Sequence, residues 1–225
     1  MNLAIRHNPS FAVVRAEIGA GEQISVEAGA MMAMAAGVQL ESKMEGGLKK
    51  GLMRSVLGGE SLFVTKLTGS KDGDWVDAAA RLPGDLQVLD VNGSLNLTSG
   101  AWLLNDGGVT IDTKWGGFKN LMGGEGGFLI KANGTGKVVV SCYGAMETYE
   151  VAAGEQLVLD SGHLVAYEDS LTLTTRTVTK GIMGAIKSGE GLVFEFTGPG
   201  KVWAQTRNPG ELISWLTSEL PFSRD

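Results

Sequence analysis

Histidine and cysteine are nearly missing from this chain. Its 225 residues hold two histidines, His7 and His163, and one cysteine, Cys142. A single cysteine excludes an intramolecular disulfide and fits a reducing compartment. A cupin-like metal centre needs several histidine ligands beside a carboxylate, so no metal site and no cofactor is expected. Asp160-Ser161-Gly162-His163 puts an acid and a serine next to a histidine. Adjacency in sequence is not triad geometry, and the corresponding stretches elsewhere in the chain carry no histidine. No catalytic residue is assigned, and the chain is read as a non-enzyme. Cys142 lies in an apolar run, residues 138–143, where a thiol is buried and inert.

Long apolar runs are also lacking. The most apolar stretch, residues 28–38, is mostly Ala and Met and falls short of the roughly 20 residues a membrane-spanning helix needs. The N-terminal MNLAIRHNPS lacks the apolar stretch of a secretory signal. The expected location is cytoplasmic, with room for peripheral attachment to a membrane. Positive charge is in deficit too. Nineteen Lys and Arg against 25 Asp and Glu give a net charge of −6, which argues against a nucleic-acid-coating protein.

What the chain has in excess is glycine, 34 residues, mixed with short Val, Leu, Ile and Thr runs. That mixture reads as many tight turns between short strands. The turns recur. Ala20-Gly21-Glu22-Gln23 reappears as Ala153-Gly154-Glu155-Gln156, and a shorter middle copy starts at Gly93. Gly59-Glu60-Ser61, Gly124-Glu125-Gly126 and Gly189-Glu190-Gly191 each open a further apolar run. The runs alternate with a period of two, the strand signature.

These landmarks predict an all-β fold in one domain, 1–225. It holds three pseudo-symmetric repeats, 11–81, 85–143 and 146–207, packed around a shared axis so that each covers its neighbour's apolar face. Near the end, Asn208-Pro209-Gly210-Glu211 is a helix start. Leu212, Ile213, Trp215, Leu216 and Leu220 give the following helix, 209–220, an apolar stripe. That stripe is expected to pack over the end of the sheets.

Gly-Ala-Met-Met-Ala-Met at 29–34, the three Gly-Glu turns and the threefold plan resemble an uncharacterised family related to a mitochondrial-biogenesis protein. The resemblance implies a β-sandwich or double-stranded β-helix repeat similar to the tryptophan-RNA-binding attenuation protein. It also implies a homo-oligomer, with a trimer favoured, and for mitochondrial relatives an association with the inner membrane. It brings no catalytic residues.

The charge is unevenly placed. Segments 43–59, 114–124 and 176–189 hold nine of the 19 bases and one acid, a surplus of eight positive charges. The remainder holds ten bases and 24 acids, a surplus of fourteen negative. The segments are apolar as well as basic: Lys49, Lys50, Leu52, Met53 and Arg54; Trp115, Phe118, Lys119 and Met122; Lys180, Ile182, Met183 and Lys187. Basic plus apolar suits contact with an anionic membrane surface or membrane protein, and equally suits packing between subunits. Glu60, Glu125 and Glu190 recur at one position, either as turn acceptors or as a small-ligand contact at repeat junctions. The alternative function is a small-ligand or RNA-binding oligomeric ring.

Overall fold

The computed structural model of the chain describes residues 1–44, 63–112, 129–176 and 193–220. These residues form antiparallel sheets and one α-helix. β1 (Asn2–Arg6) leads into a first set of six strands: β2 (Val13–Ile18), β3 (Gln23–Glu27), β4 (Met31–Met34), β5 (Gln39–Met44), β6 (Phe63–Thr68) and β7 (Asp74–Ala79). The second set is β8 (Leu86–Thr98), β9 (Trp102–Asp106), β10 (Val109–Asp112) and β11 (Leu129–Ser141), with β8 and β11 each long enough to serve twice. The third is β12 (Met146–Val151), β13 (Gln156–Asp160), β14 (Leu164–Glu168), β15 (Thr172–Arg176), β16 (Val193–Thr197) and β17 (Gly200–Gln205). Helix α1 (Pro209–Glu219) follows.

One pairing scheme recurs in all three sets. Counting the halves of β8 and β11 separately, the first and third strands flank the sixth, and the second and fourth flank the fifth. Each set is therefore a small two-layer sandwich. Its apolar alternation points inward, as with Val14, Ala16 and Ile18 of β2 against Ile24 and Val26 of β3. β8 and β11 cross from one layer to the other at Gly93 and Gly134. These two lie opposite each other, and both have positive φ, where a side chain would be strained. β1 lies outside the scheme and pairs on the free side of β2.

The repeated sequence motif has a local physical cause. Glu22 accepts the Gly19 N–H at 2.9 Å, and Glu155 accepts the Ala152 N–H at 3.3 Å, so each closes the turn it sits in. The adjacent Gln23 and Gln156 reach across to the hydroxyls of Thr68 and Thr197.

The sets are joined in series. The second strand of the first set, β3, pairs with the third strand of the second, β9. The second strand of the second set, in β8, pairs with the third strand of the third, β14. Core clusters follow the same order: one unites the first and second sets, and another unites the second with Val165, Ala166 and Trp203 of the third. Among the described residues no ladder joins the first set to the third, and β4 and β13 are left as the outer strands of their sheets. Among the described residues, strand pairing between sets runs in series, from the first to the second and from the second to the third.

Candidate functional site

The basic-apolar residues from Lys49 to Arg54, Trp115 to Met122 and Lys180 to Lys187, and the three glutamates Glu60, Glu125 and Glu190, lie outside the described residues. Their points of attachment are equivalent. Segment 45–62 joins β5 to β6 beyond the pair Met44–Phe63. Segment 113–128 joins β10 to β11 beyond Asp112–Lys131, and 177–192 joins β15 to β16 beyond Arg176–Val193. Each closes the hairpin between the fourth and fifth strands of its set.

A second recurring feature lies on the third strands. Each carries a one-residue bulge where it meets the sixth strand, and a bulge re-aims a side chain. The extra residues are Met32, Leu103 and Val165. Leu103 and Val165 are fully buried, and each packs in the core cluster of the preceding set. Met32 has no preceding set and is 55% exposed. At the other end of the chain the edge strand β13 displays Val158, 46% exposed.

Helix α1 adds more apolar surface. Asn208 caps it, accepting the Gly210 N–H at 2.8 Å, with Pro209 in the first turn. The expected burial of its stripe does not occur: the helix has no buried residue, and Ile213, Trp215, Leu216 and Leu220 are exposed, Trp215 by 59%. The helix extends from the β17 end of the third set, and the protein's own sheets do not cover that face. No helix of the described residues is long and apolar enough to cross a membrane.

Several polar groups inside the sheets are paired within the chain, while Arg6 Nε, Asp74 Oδ1, Gln87 Oε1 and Asn96 Oδ1 are buried without a partner among the described residues. Asp77, almost fully buried, accepts two bonds from Arg15 at 2.8 and 2.7 Å and one from Arg6 at 2.9 Å. Hydrogen bonding from Arg15 leads the causes that hold its carboxyl below the usual range. Arg15 also stacks 4.1 Å above the Trp75 ring. Lys137 and Lys201 pair with cross-strand acids, Asp90 at 2.8 Å and Glu150 at 3.3 Å. Asp169 accepts from Ser94, Asn96 and Lys131, and is drawn down to about 2, first by Lys131, then by Asn96 and Ser94.

His163 Nδ1 lies 2.6 Å from the Gln205 carbonyl oxygen, and Asp160 accepts the Gly162 N–H instead of orienting the ring. Cys142 is buried and its thiol is pushed up to about 11 by burial. Among the described residues no three His, Cys, Asp or Glu are grouped to hold a metal ion.

The segments were singled out in the sequence by their basic-apolar composition, without the strands they join. The bulge residues were not singled out, because Met32 sits in an Ala-Met run that reads as ordinary core.

The chain is similar to known proteins along its whole length. An uncharacterised protein of Streptococcus pyogenes serotype M6 is 28% identical over 232 residues, covering 99% of this chain and 92% of that one. The crystal structure of protein SPYM3_0169 from Streptococcus pyogenes superposes with a TM-score of 0.82 at 25% identity. That match covers 97% of this chain and 99% of the other. The family model described as mitochondrial biogenesis AIM24 matches residues 3–207. This all-β chain belongs to the mitochondrial biogenesis AIM24 family.

Proposed function

We propose that the protein is a non-enzymatic scaffold that assembles head to tail with copies of itself. The observation that carries this reading is Met32. In the two interior junctions the bulged side chain fills the core of the set before it, and only the first set lacks a set to fill. A second copy offers that set, and its β13, paired with β16 on one side, has no partner strand on the other among the described residues. Such a contact is heterologous, so it closes into a ring when the rotation allows. A ring of three copies is the favoured form.

The interior registers serve as the template for the proposed one. Ser25 faces Asn105, and Asn96 faces Tyr167. By the same positions, Val158 of one copy faces Met34 of the next. The double variant V158C/M34C, oxidised under non-denaturing conditions, is expected to give covalent multimers. Chains that stay single under oxidation would remove this register.

The exposed apolar stripe of α1 favours a further role for the assembly: holding an anionic membrane surface or a membrane-organising partner. Multiplied by assembly, weak basic-apolar contacts gain avidity. Flotation with anionic liposomes is expected to fall with added salt and to weaken in a K49A/K50A/R54A variant. Equal flotation of that variant would point away from the 45–62 segment.

A further inference from the structure

The two interior junctions are built from the same positions but not from the same residues. At the β8–β14 junction, Ser94 Oγ, Asn96 Nδ2 and Lys131 Nζ reach the Asp169 carboxylate at 2.7, 3.0 and 2.8 Å. The ladders locate the matching positions at the β3–β9 junction. Lys66 stands opposite Ser25 as Lys131 stands opposite Asn96. Ser25 stands opposite Asn105 as Asn96 stands opposite Tyr167. Gln23 then matches Ser94, and Gly107, two residues past Asn105, matches Asp169. The lysine and the polar pair are present in both junctions, and the first one lacks the carboxylate.

A cleft of about 80 Å³ opens at that place, lined by Gln23, Ser25, Lys66 and Gly107 with Val64, Val109 and Ile111 among the apolar walls. Lys66 is half-buried, and among the described residues it makes no hydrogen bond or ion pair. Asn105 is fully committed: it accepts from Trp102 Nε1 and donates to the carbonyl oxygens of Asp106 and Val109, which makes it a rigid wall. Each lysine also has one acid opposite it on the neighbouring hairpin strand, Glu41 for Lys66 and Asp112 for Lys131. That neighbour is common to both junctions and does not distinguish them.

We infer that the first junction is a binding site for the carboxylate of a short aliphatic acid, held where the Asp169 side chain sits in the second. Lys66 supplies the charge, and the Ser25 hydroxyl supplies a donor. Gln23 has a second amide hydrogen beyond the one given to Thr68. The apolar walls take a tail of one to a few carbons, and the cleft volume excludes a large ligand. One lysine with an acid nearby suits a monoanion and disfavours phosphate.

The test uses the full chain labelled with ¹⁵N. Sodium acetate and propionate are titrated at constant ionic strength, with sodium chloride and inorganic phosphate as comparators. The expected result is saturable amide shifts confined to residues 23–25, 66 and 107–111 for the two acids only. Binding should weaken at least tenfold in K66M. G107D, which supplies the carboxylate from the chain itself, should abolish it. A Cβ at Gly107 meets only the Gln23 carbonyl oxygen, at 3.2 Å, so the backbone admits that change with a small adjustment. No saturable shift, equal shifts with chloride, or unchanged binding in either variant would overturn the site.

Discussion

Leu103 and Met32 occupy the same place in successive sets, each the extra residue of a bulge on a third strand. Leu103 is sealed in the core of the first set, while Met32 stands 55% exposed. The chemistry of the two side chains is close, so the difference lies in what precedes them. The first set has no set before it in the chain, so its bulged side chain has no neighbouring core to enter. In repeat proteins ends of this kind are capped with a polar face. Here the ends carry the exposed apolar side chains of Met32 and Val158.

The comparison can be broken by truncation. Leu103→Ala removes a fully buried side chain and is expected to cost about 2–5 kcal/mol in denaturant unfolding. Met32→Ala, measured on dissociated chains, should cost less than about 0.5 kcal/mol. Similar losses at both sites in dissociated chains would mean that Met32 is already sealed.

The two interior junctions sharpen the comparison at a smaller scale. Asp169 is drawn down to about 2 by Lys131, Asn96 and Ser94. A carboxyl whose folded value lies below its unfolded value, about 3.9, contributes stability above that unfolded value. The contribution fades as pH falls from about 4 through 2. Asp169 is 44% exposed, so solvent screening keeps the effect at about 1 kcal/mol or less. Asp169→Asn should lower stability by that amount at pH 7 and flatten the acid limb between pH 4 and 2. An unchanged acid limb would remove the cluster as a source of stability.

Much of the fold was legible because its cause is local. The Ala-Gly-Glu-Gln motif recurs because Glu22 and Glu155 each close their own turn, and period-two alternation marks strands that bury one face. The helix start was readable from its cap residues for the same reason. The docking of α1 was not, since an apolar stripe says only that something covers it, not that the same chain does. The seam between sets was hidden for a related reason. Pairing of β3 with β9 and of β8 with β14 joins residues far apart in sequence, and nothing near β4 or β13 records that the third such pair is missing within one chain. The residues chosen from charge, among them Lys49, Trp115 and Lys187, belong to segments outside the described residues.

The most direct test is the solution mass of the wild-type chain and of Met32→Asp, measured by light scattering during size-exclusion chromatography. The side chain is exposed in the single chain, so the substitution spares its fold while placing a charge where another copy's core would receive it. Head-to-tail assembly predicts a wild-type mass that is a multiple of 23.6 kDa, three times that value for the favoured ring, and a single-chain mass for the variant. A monomeric wild type, or a variant that keeps the wild-type mass, would contradict the account.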